Sequence, residues 1–293
     1  MHVHQLRTSA RPIARCHGTA ATGTTHDRAG SRRSILDGSA LREHPREALN
    51  IPGTSLLLLT HTGCPYAARA WLAVLEKEID FLVVHVDLAN KPGWFLQLAP
   101  RGLVPAVEFR GQVVTESIDI CRWLDANFPG PDLIPEAAAF HVNQLLEASE
   151  AFTNVGLRYL AGGSRLWGID GRQSPQTRAD YARQLQRLAS SLDKSGGPYL
   201  AGQHVSVADL VYFPFVERFD VAMREFNLLN TEKAMPAVWR WLQTMHARES
   251  CQIVSANPRK LAEAYKQHSS LDFFDYCSYS TLSLHPHLEQ LQS

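Results

Sequence analysis

Residues 56–71 read LLLLTHTGCPYAARAW: an apolar run, a loop, a single cysteine and a helix-forming segment. The four leucines are typical of a buried strand. Pro65 suits the first position of a helix, because that position needs no N–H donor and the φ angle of proline is already helical. Cys64 is therefore predicted at a helix N-terminus, where free N–H groups and the helix dipole stabilise a thiolate and lower the pKa of the thiol.

Cys64 has no second cysteine within its own motif. The position at which a dithiol oxidoreductase carries that residue is occupied by Ala67. An activated thiol without a resolving partner depends on a thiol from another molecule. The plainer alternative, that Cys64 is a small buried hydrophobic residue, stays open at this point.

The surrounding sequence alternates between strand and helix patterns. It predicts strands at 55–60, 80–88, 106–109 and 112–115, helices at 65–78 and 117–128, and an irregular stretch near 92–100. The order βαβ, irregular element, ββα is that of a small α/β layer fold. After the linker PGPDLIP, five helices are predicted at 137–160, 174–195, 206–228, 235–249 and 258–267. The chain thus divides into an α/β unit at 54–129, a helical unit at 136–267 and a tail at 268–293.

Two further strings can belong to a binding site. Val104-Pro105 enters a predicted edge strand, where a cis bond would offer the backbone of Val104 to an extended peptide. Glu116-Ser117 precedes a predicted helix, and its carboxylate, hydroxyl and free N–H groups suit an α-amino-acid zwitterion. Each string also has a purely structural interpretation. Val104-Pro105 can simply belong to the start of an edge strand, and Glu116-Ser117 can simply cap a helix.

Charge is unevenly distributed along the chain. Residues 1–35 hold six arginines and one of the 29 acidic residues, which leaves 23 basic and 28 acidic residues for the rest. The basic, Ser/Thr-rich segment 1–45 is predicted to be an organellar transit peptide, with a disordered tail or a misassigned start as alternatives. We therefore expect a plastid protein, with the mitochondrial matrix or the cytosol as alternatives.

Overall charge, hydropathy and cysteine content exclude several classes of function. A mildly acidic body argues against a nucleic-acid surface, and no apolar stretch reaches the roughly 18–20 residues of a membrane span, so stable membrane insertion is not expected. The five cysteines are odd in number and lack metal-ligand spacing. They indicate a reducing compartment and no metal site.

Four strings in this order resemble those of one enzyme family. They are Cys64-Pro65-Tyr66, Asn90-Lys91-Pro92-Gly93-Trp94-Phe95, Val104-Pro105-Ala106-Val107-Glu108 and Glu116-Ser117. The chain is similar through them to cysteine-type glutathione transferases, in particular the lambda and omega classes. The likeness continues through 197–202, 205–209 and 212–219 and spans about residues 54–267. In the second of these segments, Ser206 and Asp209 are predicted to form a capping box.

The resemblance implies a fold, a co-substrate and a set of site residues. The fold is a thioredoxin-like domain followed by an all-helical domain, and the co-substrate is glutathione, with no metal. Cys64 is the implied catalytic thiol. The implied glutathione-binding residues are Tyr66, which lines the site; Lys91, at the glycyl carboxylate; Val104 with Pro105, at the cysteinyl backbone; and Glu116 with Ser117, at the γ-glutamyl end.

A cysteine at this position predicts thiol transfer through a mixed disulfide between glutathione and Cys64, which removes glutathione from its adducts. The second substrate is expected to be small and apolar or aromatic and to lie between the domains of a monomer or homodimer. Two alternatives stay open: a glutathione-dependent dehydroascorbate reductase, and a non-enzymatic carrier of small aromatic ligands.

Overall fold

The computed structural model describes residues 23–26, 32–38, 41–61, 63–163 and 175–267. Its sheet contains β1 (Gly23–His26), β2 (Arg32–Asp37), β3 (Leu56–Thr60), β4 (Phe81–His85), β5 (Ala106–Phe109) and β6 (Gln112–Thr115). The strand order is β1-β2-β4-β3-β5-β6. Strands β2 and β3 run parallel to β4, whereas β1, β5 and β6 pair antiparallel with their neighbours. The predicted α/β unit is confirmed.

The sheet begins earlier in the chain than the sequence predicts. The α/β unit is predicted from residue 54, but β2 pairs with β4, and β1 pairs with β2, both from within the segment 1–45. A short helix α1 (Pro45–Ala48) follows. Arg46 of this helix donates from Nε to Glu108 Oε1 at 2.8 Å and from Nη2 to the carbonyl of Ser55 at 2.8 Å. These bonds tie the N-terminal extension to β5, so a boundary at 54 is too late; the transit peptide itself stays a prediction.

The helices lie close to their predicted positions. The α/β unit contains α2 (Pro65–Glu76), α3 (Gly93–Leu98) and α4 (Ser117–Asn127). The helical unit contains α5 (Ala139–Gly163), α6 (Pro175–Ser195), α7 (Val207–Glu225), α8 (Thr231–Ala234), α9 (Pro236–His246), α10 (Glu249–Val254) and α11 (Pro258–Gln267). Besides α1, the short helices α3, α8 and α10 were not predicted: α3 forms where an irregular stretch was expected, and α8 and α10 flank α9. The tail 268–293 lies outside the described residues.

Helix α2 is almost entirely buried. Every residue of α2 except Tyr66 is buried, because the helix packs against β3, against α4 and against α7 of the helical unit. The apolar strand β3 is buried along its whole length beside it. Cys64, at the N-terminus of α2, is thereby held where the two units meet.

The predicted capping box at the start of α7 is confirmed. Ser206 is the N-cap, and its backbone N–H donates to Asp209 Oδ2 at 2.9 Å. Asp209 Oδ1 accepts two further bonds, from the N–H of Leu200 and from Nε1 of Trp241, each at 2.8 Å. One buried carboxylate therefore fixes the helix start, the preceding loop and α9.

Helices α5 and α7 approach closely at Gly156. A Cβ atom at this position would overlap the buried ring of Phe219. We expect Gly156→Ala to lower the free energy of unfolding by about 1–3 kcal/mol, because overpacking a filled core forces side chains from their rotamers. The urea midpoint of the folded protein measures this.

Gly93→Ala is the matched control for this prediction. Gly93 begins α3, and a Cβ atom there would meet nothing within 4 Å. Alanine favours a helix over glycine by up to about 1 kcal/mol, so this variant should be neutral or slightly stabilised. Equal urea midpoints for the two variants would contradict the close approach at Gly156.

Candidate functional site

Cys64 occupies the predicted position at the mouth of α2. It is the N-cap residue of that helix, with extended backbone angles, and Pro65 is the first helical residue. The N–H of Cys64 donates to the carbonyl of His61 at 3.1 Å, and its own carbonyl accepts from Ala68 at 3.0 Å. The loop and the helix therefore hold the sulfur in one place between the two units.

The predicted direction of the Cys64 pKa is wrong. Burial raises the pKa of the thiol above its ordinary value, because the side chain is only 4% exposed and a thiolate loses its hydration there. The N–H groups of Ala67 and Tyr66 and the charges of Arg218 and Arg69 act in the opposite direction. The helix terminus does favour the thiolate as expected, but desolvation outweighs it.

Val104 and Pro105 lie beside the thiol. The peptide bond between them is cis, as the sequence allowed, and the Sγ of Cys64 is 4.0 Å from the carbonyl oxygen of Val104. Strand β5 begins immediately after Pro105 and pairs with both β3 and β6, so the prediction that it is an edge strand is wrong. The backbone of Val104 thus lies within contact distance of the sulfur.

Glu116 and Ser117 are at the start of α4. Glu116 is the N-cap and adopts a φ of 66°, a left-handed conformation that is uncommon for a residue other than glycine. Its side chain is exposed and forms an ion pair with Arg101. Ser117 is buried, and its Oγ accepts a bond from Nη1 of Arg69 at 3.3 Å.

Lys91 and Tyr66 are the outermost of the predicted site residues. Lys91 is exposed, and its amino group lies next to Gly102, which has a φ of 63°. Tyr66 is 38% exposed, and its ring meets that of Phe215 on α7 edge to face, with the centroids 4.9 Å apart. Tyr66 therefore bridges the two units at the surface.

Most of the predicted site residues converge on one segment, residues 101–105. Cys64 contacts this segment at Val104, Glu116 pairs with Arg101, and Lys91 lies over Gly102. Ser117 joins the group through Arg69 rather than by direct contact with the cysteine. The fold thus brings three distant segments of sequence together at one end of strands β3, β5 and β6.

Arg69 is a site residue that the sequence motifs did not identify. It is 4% exposed; Nε donates to the carbonyl of Val211 at 3.0 Å, and the guanidinium lies over the rings of Tyr66 and Phe215. Burial lowers its pKa to about 10, so the group is still charged at neutral pH. The sequence does contain a sign of this role. Arg69 stands within the otherwise apolar run of α2, and an arginine in such a run indicates a buried cation with specific partners.

This arrangement combines a buried thiol, the buried backbone at Val104-Pro105 and a helix N-terminus that carries a carboxylate and a hydroxyl. Such a set can hold a small peptide with its sulfur against Cys64. Among the residues that the structure describes, no group of three or more His, Cys, Asp or Glu side chains is placed to hold a metal ion. None of the described helices is long and apolar enough to cross a membrane.

Comparison with protein families gives two matches. Residues 63–127 match the model described as "Glutathione S-transferase, N-terminal domain", and residues 172–244 match "Glutathione S-transferase, C-terminal domain". The first match contains Cys64, Val104 and Glu116. The second contains Asp209 and most of the helical unit.

Individual relatives agree with these matches. Glutathione S-transferase L2, chloroplastic, of Arabidopsis thaliana is 31% identical over 222 residues, which cover 73% of this chain and 70% of the relative. Glutathione S-transferase omega-1 of Sus scrofa is 26% identical, over 79% and 91% of the two chains. The crystal structure of glutathione transferase Omega 3C from Trametes versicolor superposes with a TM-score of 0.63 at 25% identity, over 76% and 93%.

Proposed function

The chain belongs to the glutathione S-transferase family, and on that premise we propose that it is a thiol transferase that removes glutathione from mixed disulfides. One observation carries this proposal: the N-cap of α2 is a cysteine, and its sulfur lies 4.0 Å from the carbonyl oxygen of Val104. A serine or tyrosine hydroxyl at that place can only hydrogen-bond the thiolate of glutathione. A cysteine can itself attack a disulfide sulfur.

The reaction proceeds in two exchanges at one sulfur. The thiolate of Cys64 attacks the glutathione sulfur of a mixed disulfide, so the Cys64–glutathione disulfide forms and the substrate leaves as a thiolate that takes up a proton. The thiolate of a second glutathione then attacks the glutathione sulfur of that intermediate. Oxidised glutathione leaves, and the thiolate of Cys64 is restored. Because Ala67 stands where a resolving cysteine would be, external glutathione completes the cycle.

The residues around Cys64 supply the contacts that this cycle needs. The backbone of Val104, which precedes the cis bond to Pro105, is proposed to pair with the cysteinyl residue of glutathione. Lys91 would bind the glycyl carboxylate. Tyr66 would line the site next to the helical unit. Support comes from the convergence of these groups on residues 101–105.

The γ-glutamyl end of glutathione is proposed to bind at Glu116 and Ser117. The Nη1 of Arg69 donates to a lone pair of Ser117 Oγ, which leaves the hydroxyl hydrogen available for a carboxylate of the ligand. Free N–H groups at the start of α4 would bind the same carboxylate. The exposed carboxylate of Glu116 would bind the ammonium group, with Arg101 holding it in place.

A small apolar or aromatic second substrate is proposed to bind where the two units meet. The exposed ring of Tyr66, which packs edge to face on the buried ring of Phe215, supplies an aromatic surface at that place. Function in a plastid is supported by the basic N-terminal composition and by the relative L2, whose name describes it as chloroplastic.

The experiment that tests this function is intact-mass analysis after incubation with oxidised glutathione. We expect one glutathione adduct on the wild type, no adduct at position 64 in the Cys64→Ser variant, and complete reversal by reduced glutathione. Peptide mapping assigns the adduct, because four other cysteines are present in the chain.

The outcomes separate the competing functions. A wild-type protein without an adduct at Cys64 would overturn thiol transfer, and a carrier of aromatic ligands would then bind its ligand equally well in Cys64→Ser. A reversible adduct together with glutathione-dependent formation of ascorbate would instead identify dehydroascorbate as the oxidant. Both tests use the full chain.

A further inference from the structure

Arg218 on α7 is a buried cation with an unused hydrogen-bond donor. Its side chain is 1% exposed. The Nη1 group donates to the carbonyl of Pro214 at 3.0 Å and to Glu217 Oε2 at 3.1 Å. The Nη2 group, which is buried too, has no partner within the described part of the chain. A buried N–H of a charged group without a partner is costly, so it points to a role.

The third nitrogen of Arg218 connects it to the site. Its Nε donates to the carbonyl of Gly63, the residue directly before Cys64, at 3.3 Å. Helix α7 packs against α2, so the guanidinium from the helical unit reaches the loop that carries the cysteine. The charge of Arg218 also lowers the pKa of Cys64 against the effect of burial.

We propose that Arg218 is a positioning residue for Cys64: its bond to Gly63 holds the cysteine loop, and its free Nη2 group stabilises the thiolate. The inference deepens the proposed thiol transfer and rests on it. It assigns part of the activation of the thiol to the helical unit rather than to α2 alone. The reactivity of Cys64 then depends on the packing of the two units.

The other charged and titratable groups around Cys64 do not supply the bond to Gly63 or the unpaired donor that Arg218 supplies. Arg69 is the second cation, and it is bonded to Val211 and Ser117. Burial lowers the pKa of His61 to about 4, so this side chain is neutral at pH 7. Burial raises the pKa of Tyr212, so its phenol is neutral at that pH as well. Glu217 offsets part of the Arg218 charge through its ion pair.

The test is the pH dependence of alkylation of Cys64 by iodoacetamide, followed at the Cys64 peptide by mass spectrometry. In Arg218→Met we expect the midpoint of the rate profile to rise by about one pH unit, because a cation next to a thiolate lowers the thiol pKa by that order. Near pH 7 the rate should fall about tenfold, and at high pH the two profiles should converge. Arg218→Lys keeps the charge and should recover part of the shift.

Arg224→Met is the matched control on the same helix. Arg224 pairs with Asp220 and lies over the ring of Trp239, so its removal should leave the midpoint at the wild-type value. If Arg218→Met leaves Glu217 unpaired and fails to fold, the double variant Glu217→Gln/Arg218→Met removes both charges and is measured instead.

The possible results are distinct for the two proposals. A folded variant without Arg218 whose rate changes equally at every pH, or whose midpoint is unchanged, would overturn the role of Arg218 even if the wild type forms its glutathione adduct. A wild type without that adduct would overturn thiol transfer, whereas the shift of the alkylation midpoint would still support the contact between Arg218 and the cysteine loop.

Discussion

Cys64→Ser is expected to reduce glutathione-dependent reduction of a mixed disulfide by about a thousandfold or more in kcat/KM. A serine hydroxyl stays protonated at neutral pH and forms no disulfide, so neither exchange of the cycle takes place. The assay is the reduction of the disulfide between glutathione and mercaptoethanol, coupled to oxidation of NADPH by glutathione reductase. A variant that keeps a tenth of the wild-type rate would contradict a cycle through Cys64.

The same substitution is expected to raise conjugation of glutathione to an aryl halide. The serine hydroxyl introduced by Cys64→Ser can donate a hydrogen bond to the thiolate of bound glutathione. The substitution would also end the trapping of glutathione as a disulfide with the protein. The absorbance of the conjugate measures this gain, and an unchanged rate would mean that the hydroxyl does not reach the ligand.

Cys121→Ala is the matched control for these measurements. Cys121 is fully buried on α4, where its thiol donates to the carbonyl of Arg69 at 3.6 Å. Burial raises the pKa of this thiol to about 12, which makes it unreactive at neutral pH. Its removal should leave thiol transfer near the wild-type rate, with a modest loss of stability.

The parts of the fold that the sequence predicted well are those with local signals. Strands β5 and β6 fall on their predicted residues because two short segments that contain valines flank a two-residue turn that ends in Gly111. Helix α3 was missed because its six residues, after a proline, are too few to show a helical period. Strand β2 was missed because its pairing with β4 joins segments about fifty residues apart, which the pattern of a basic N-terminal segment does not reveal.

In the site, too, the residues that the sequence predicted stand in local motifs, whereas those that it missed depend on contacts between distant segments. Cys64, Val104 and the pair Glu116-Ser117 each stand in a short motif whose chemistry is readable in place. The contacts of Arg218 with Gly63 and of Arg69 with Val211 depend on the packing of α2 against α7. For a similar reason the pKa of Cys64 was predicted in the wrong direction: the helix terminus is visible in the sequence, whereas the burial that outweighs it comes from apolar residues far away in the chain, among them Leu36 and Val84.

Asp209→Ala is expected to lower the free energy of unfolding by about 3 kcal/mol or more. The carboxylate accepts bonds from Leu200, Ser206 and Trp241, and it is fully buried. Alanine would leave these three buried N–H groups without an acceptor, and each unsatisfied group costs about 1–3 kcal/mol. The urea midpoint and the melting temperature measure the loss.

Asp209→Asn tests whether the charge or the pattern of acceptors matters. Both oxygens of Asp209 accept two bonds each, with Ser206 Oγ as the fourth donor. An asparagine replaces one of these oxygens with an NH₂ group, which would face N–H donors. The variant should therefore lose most of the stability that alanine loses, although its shape is almost unchanged.

Asp119→Ala is the matched control, because Asp119 is the third residue of α4 just as Asp209 is of α7. Its side chain is 66% exposed and lies 3.9 Å from Arg122, so its removal should cost less than about 1 kcal/mol. Equal losses for Asp119→Ala and Asp209→Ala would show that the buried network adds nothing beyond an ordinary helix start. A large difference would mean that Asp209 fixes α7, and with it the distance of Arg218 from the loop of Cys64.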